Sequence, residues 1–96
     1  DVHACVVAHL HDTSACDVAR ADALHPDSMA GTARTMTGAS VVDLTDLFCS
    51  ATTCFAVVGG VITHRDEDHI TDAFSRSYAP YLAARLAGIE PALFTG

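Results

Sequence analysis

Apolar and polar positions change their period along this chain, and the changes mark out its elements. Phe74, Tyr78, Leu82 and Leu86 recur every four residues, which places them on one face of a helix that packs against a core. Thr71 is a good N-cap for that helix, and Asp72 adds negative charge in its first turn, where the helix dipole favours it. Pro80 has no amide proton, so the sequence predicts a kink there or a restart as a second helical piece. Gly88 ends the helix, and Ile89 to Gly96 form a loosely held tail. Upstream, AVVGGVITH (residues 56–64) reads as two short extended pieces meeting at Gly59-Gly60, followed by a loop, RDEDH, from Arg65 to His69.

Ser40 to Leu44, SVVDL, is a compact apolar run with β-branched residues between turn formers, which predicts a buried strand of a parallel sheet. Thr45, Asp46 and Leu47 then sit just past its C-terminal end, where α/β folds place functional loops. Pro26, Asp27 and Ser28 signal the start of a short helix from Met29 to about Met36, capped by Asp27 or Ser28 and stopped at Gly38. The first 27 residues mix small, polar and histidine residues without a clean period. They predict an irregular loop with a helical turn around Asp17 to Leu24. The pattern shows no internal repeat.

Composition narrows the function classes. With 96 residues, half of them hydrophobic, the chain is at most one small domain. Its longest apolar run, Phe55 to Ile62, falls far short of the ~20 residues of a membrane span. The chain begins at Asp1 without a signal-like segment, so it reads as processed or cut from a longer protein, with any export signal upstream. A net charge of −7, with five scattered arginines and no lysine, argues against nucleic acid, which needs clustered cations to displace phosphate counterions.

Four cysteines fall as two local pairs, Cys5 with Cys16 and Cys49 with Cys54, a pattern that suggests disulfides and an oxidising compartment. A zinc site is the competing reading, since His3, His9 and His11 lie close by. Structural zinc sites usually show tighter Cys-x(2–4)-Cys pairs than either spacing here. His25 reads as a turn residue before Pro26, and His64 as a surface or site-rim residue. Phe74, Tyr78, Tyr81 and Leu82 read as core, and Asp43 and Asp46 as structural partners for an arginine.

The candidate chemistry lies in Asp66 and His69. The order Asp-x-x-His in a short loop lets the carboxylate reach one imidazole nitrogen while the other faces outward, which is what a general base requires. The stretch VVDLTDLFC, then a second cysteine followed by AVVGGVITHRDEDHIT and a helix containing YAPYLAARL, resembles the end of the SGNH domains fused to bacterial acyltransferase-3 membrane proteins. In that family an aspartate and a histidine three apart, followed by Leu-Thr or Ile-Thr, belong to a Ser-His-Asp triad. The resemblance assigns those roles to Asp66 and His69, with Ile70 and Thr71 completing the motif. It also matches Cys49–Cys54 to the family's disulfide, and Cys5–Cys16 falls where such proteins have a second pair.

The likeness is strongest from Val41 to Leu86 and departs from the pattern in places. Many relatives carry an aromatic residue at His64, proline at Phe55, and Asp-Asn or Asp-Ser at Glu67 and Asp68. The family's Gly-Asp-Ser nucleophile block and its oxyanion-hole blocks are not in this sequence. Ser14, Ser28, Ser40, Ser50, Ser75 and Ser77 sit in other contexts. The resemblance therefore implies the C-terminal part, over residues 1–96, of a three-layer α/β/α SGNH-hydrolase-like (flavodoxin-like) domain, with the nucleophile-bearing part upstream.

The activity implied is transfer or hydrolysis of acyl esters, acetyl above all, on cell-envelope glycans or glycolipids, with no cofactor. Its partners are an acyl donor, a glycan or glycolipid acceptor, the rest of the SGNH domain, and the membrane acyltransferase domain of the parent. The location is extracytoplasmic, tethered through that parent. Two alternatives remain at the level of sequence: a disulfide-stapled binding module without catalysis, and a small zinc-binding domain. Because so little of the sheet is visible, the chain alone is expected to be unstable or to associate. Sedimentation with a thermal melt checks this, and a monodisperse, cooperatively melting monomer runs against it.

Overall fold

The computed structural model describes residues 1–95. Helix α1, Val2–Ala8, opens the chain where an irregular loop was expected. The Asp1 carboxylate accepts the Ala4 amide as its N-cap, and Val2, Cys5 and Val6 share the inward face. Valines are weak helix formers, so packing rather than propensity holds this helix. Val6 is buried with Cys16 and Ala56, and Val2, Cys5, Val57 and Ile62 pack around them. A disulfide from Cys5 to Cys16 ties α1 to a 3₁₀ turn over Thr13–Cys16. The expected turn around Asp17 to Leu24 resolves into strand β1, Val18–Ala19, and a single helical turn, α2, Arg20–Ala23.

Helix α3, Ser28–Arg34, is capped by Asp27, whose carboxylate accepts the Ala30 amide at 3.1 Å. The predicted strand at Ser40 to Leu44 is not formed: these residues have no regular structure and are exposed or half-buried. A strand needs a neighbour to take its amides and carbonyls. Among the described residues the strands pair only with each other, β1 with β2 (Thr53–Cys54) and β3 (Val57–Val58) with β4 (Val61–Ile62), both antiparallel. The architecture is thus mixed α/β, with two small antiparallel pairs in place of a parallel sheet.

The β3–β4 hairpin turns on Gly59 (φ +58°) and Gly60 (φ +77°), with Val58 facing Val61. Two successive positive φ angles make a type I′ turn, which matches the twist of the flanking strands and strongly favours glycine. The second disulfide, Cys49–Cys54, spans a tight turn in which the Ser50 amide donates to the Thr53 carbonyl. Beyond the hairpin, Thr63 is almost completely buried. Its hydroxyl lies 2.9 Å from the Phe55 carbonyl and 3.2 Å from that of Ala56.

Helix α4, Asp72–Ile89, begins at Thr71, whose hydroxyl accepts the Phe74 amide at 3.0 Å. It runs unbroken through Pro80, so the chain does not restart there. The proline sits on the exposed side, where water can serve the carbonyl its ring leaves without a donor. Along the stripe Phe74 is buried and Tyr78, Leu82 and Leu86 are half-buried. Tyr81, expected in the core, is 60 % exposed because it lies off that stripe. The helix ends one residue beyond Gly88. Part of the expected loose tail forms an exposed 3₁₀ turn, Pro91–Phe94, and Gly96 lies outside the described residues.

The molecule is elongated: its radius of gyration is 15.4 Å, against the ~12.5 Å of a compact chain of this length. Leu10, Met29, Met36, Leu93 and Phe94 are all more than half exposed. Replacing Thr63 with valine keeps the shape and the amide bond to the Ala56 carbonyl, but leaves the Phe55 carbonyl without the hydroxyl that donates to it. Equilibrium denaturation should show a loss of about 1–3 kcal/mol.

Candidate active site

The loop Arg65–His69 is closed at both ends by backbone pairing. His64 and Ile70 form an antiparallel bridge, the Arg65 amide donates to the His69 carbonyl at 3.0 Å, and the Thr71 amide donates to the Thr63 carbonyl at 2.9 Å. The Thr71 hydroxyl, besides capping α4, donates to the Ile62 carbonyl at 2.6 Å. The loop is thereby fixed between a strand end and a helix start.

Inside it, Asp66 turns its carboxylate back over the chain. Oδ1 accepts the backbone amides of Asp68 and His69, each at 2.8 Å. An aspartate that bonds its own backbone two residues on is a standard way to close a turn of this size. The same carboxylate meets the His69 ring: Nδ1 lies 2.9 Å from Oδ1 and 3.0 Å from Oδ2. Nδ1–H therefore donates to Asp66, which fixes the tautomer and leaves the Nε2 lone pair free. Both side chains are half exposed, His69 at 59 % and Asp66 at 50 %, so the outward nitrogen is open to approach.

The Asp66 carboxyl is pulled down to about 2, first by the Asp68 amide and then by the His69 ring and the His69 amide. It is ionised throughout the neutral range, as a partner for an imidazolium must be.

The expected site residues thus divide clearly. Asp66 and His69 come together as the spacing implied. Among the described residues no serine bonds His69. His64 is half-buried at the loop's edge, with its ring edge-on to Phe48 at 5.3 Å between centroids. Nδ1 of His64 lies 3.0 Å from the Thr63 hydroxyl, and burial lowers its affinity for a proton, partly offset by the charge on Asp66. Asp46 pairs with Arg85 through two bonds, at 2.7 and 2.9 Å, and Arg85 also reaches the Asp43 carbonyl. This clamp fastens the Thr45–Leu47 turn to α4, the arginine pairing expected for Asp46, whereas the Asp43 carboxylate accepts the Thr45 amide at 2.9 Å instead.

Sequence reasoning missed the two amides that cradle Asp66; an aspartate leading a short turn was their signal. It also missed an apolar cavity of about 190 Å³ lined by Leu44, Leu47, Phe48, Ile70, Phe74 and Tyr78, which begins at the residue following His69. Cys5 and Cys16 are joined to each other, as are Cys49 and Cys54, so all four sulfurs are engaged in disulfides.

A family model for the SGNH domain (fused to AT3 domains) matches residues 1–84, which include Asp66, His69 and all four cysteines. The chain belongs to this family. SGNH domains are of esterase and acyltransferase type, and the fusion joins them to a membrane acyltransferase domain in the parent protein. No curated protein and no solved structure shows a significant match to the chain. Among the described residues of the SGNH chain no helix is long and apolar enough to cross a membrane.

A carboxyl-carbon NMR titration of the folded SGNH chain should place Asp66 near 2, and His69→Ala, by removing one of its donors, should raise it. The depressed value makes the sign of its stability contribution definite. The contribution is complete above the unfolded value of ~3.9 and is lost as the pH falls through about 2.

Proposed function

We propose that Asp66 and His69 are two members of a Ser-His-Asp triad, and that the chain is the C-terminal part of a three-layer SGNH domain whose serine lies outside this sequence. The observation that carries the reading is the contact of His69 Nδ1 with both Asp66 oxygens, which leaves Nε2 free in a half-exposed loop. The elongated shape and the apolar cavity beneath the α4 stripe support a sheet completed by further residues, packed where Leu44, Phe48 and Phe74 line open space.

In this mechanism the serine hydroxyl attacks the carbonyl carbon of an acyl donor. His69 Nε2 takes the hydroxyl proton, and Asp66 stabilises the imidazolium that results. Collapse of the tetrahedral intermediate returns the proton to the leaving oxygen and leaves an acyl-serine. An acceptor hydroxyl then attacks the acyl-serine, giving its proton to His69 as it does so. A sugar hydroxyl makes the reaction an O-acyl transfer, and water makes it ester hydrolysis. The natural substrates we propose are cell-envelope glycans or glycolipids, with acetyl the first group to test, on the extracytoplasmic side of the membrane that holds the parent.

The test is hydrolysis of a small chromogenic acetyl ester by this chain extended upstream. His69→Ala should lower kcat by ~10³-fold or more, and Asp66→Asn by up to ~10⁴-fold through loss of the correct tautomer. A folded protein in which wild type and His69→Ala are equally inert would favour a binding module of the cell envelope instead.

A further inference from the structure

A second cavity, of about 460 Å³, opens between the α2–α3 segment and residues 41–45. None of its lining residues belongs to the Arg65–His69 loop, and Leu44 is the one residue it shares with the apolar cavity. Its volume is in the range of small-molecule sites. Its charges come in two opposed pairs: Arg20 and Arg34 bring guanidiniums, and Asp27 and Asp43 bring carboxylates. No ion pair joins them to each other, and Arg34 is exposed with no acidic partner among the described residues. Arg20 is half-buried and donates from Nη1 to the Ser50 carbonyl at 3.0 Å, which leaves most of its guanidinium donors unspent. Asp27 accepts the Ala30 amide at 3.1 Å and Asp43 the Thr45 amide at 2.9 Å, each on one oxygen. A carboxylate has about four acceptor sites, so both keep capacity for a cation. Bonds to Thr45 lower the Asp43 carboxyl first, and the charges of Arg34 and then Arg20 lower it further, so both guanidiniums act on the same wall. Leu24, Ala30, Val41 and Val42 supply the apolar part of the lining.

We propose that this cavity binds a small zwitterion with an aliphatic body, an amino acid or a dipeptide. Arg34 and Arg20 take its carboxylate, since a planar guanidinium matches two oxygens at once. Asp27 and Asp43 take its ammonium group, and its side chain lies against Leu24, Val41 and Val42. A simple anion would meet two carboxylates here, and a simple cation two guanidiniums. Only a ligand that carries both charges leaves neither pair facing its like, which is how the site discriminates. The charged groups stand at an open, solvated mouth, so each contact is modest and the binding is of metabolite strength, with a Kd of ~1 mM or tighter.

The experiment titrates L-leucine and L-leucyl-L-leucine into this chain extended upstream and follows amide NMR shifts. Binding of either supports the proposal and sets the distance between the two charge pairs. 4-Methylpentanoate, which is leucine without its ammonium group, should bind ~10-fold more weakly or worse. Arg34→Gln and Asp43→Asn should each weaken binding of the zwitterion by ~10-fold, and asparagine can still close the turn at Thr45. Glu90→Gln, at the far end of α4, should change nothing. Absence of binding by the folded protein overturns the proposal, including the case in which the upstream residues fill the cavity. So does methylpentanoate that binds as tightly as leucine, or binding that survives both substitutions. The readout is binding rather than ester hydrolysis, so the outcome is independent of the acyl-transfer reading.

Discussion

The geometry of the candidate site depends on Thr63. Its hydroxyl is held between the Phe55 and Ala56 carbonyls, and its own carbonyl receives the Thr71 amide. One buried residue thus fixes the start of the Arg65–His69 loop to the protein interior and its end to the start of α4. A hydroxyl in an apolar interior is costly without partners and rigid with them. Here the rigidity falls where a short loop needs both ends held. Thr71 repeats the device from the other side, capping α4 while reaching back to the Ile62 carbonyl. Between these two threonines the loop has little freedom beyond its own bends, and Asp66 uses those bends to gather two amides and an imidazole.

What was legible in the sequence was what local chemistry determines. Thr71 and Asp27 cap the helices they precede, and Gly59-Gly60 makes the hairpin turn, because each acts within three or four residues. The Asp66–His69 contact was legible for the same reason. Helix α1 was missed because its valines point away from helix on propensity alone, while the packing of Val6 against Cys16 and Ala56 comes from distant chain. The Asp46–Arg85 pair could be anticipated as a type of contact, yet its partner lies 39 residues away and no local pattern names it.

The run Ser40 to Leu44 marks the limit most clearly. Its residues suit a strand, but a strand is a relation between two segments, and this chain has its other strands pair among themselves. The strand character of the run fits the proposed reading, in which further residues complete a sheet. Tyr81 teaches a smaller version of the same lesson. Three residues past Tyr78, it lies off the stripe that faces inward, although aromatic content alone places both in a core.

Asp66 and His69 come from a single closed loop, so their mutual alignment is a prefabricated part. In a triad whose three members come from three separate segments, every change in domain packing disturbs two angles and two distances at once. Here the proposed Asp66–His69 pair moves as one body, and the remaining variable is where that body stands relative to the serine. Assembly of the proposed triad becomes a docking problem with one rigid piece, and the entropic cost is that of a single placement.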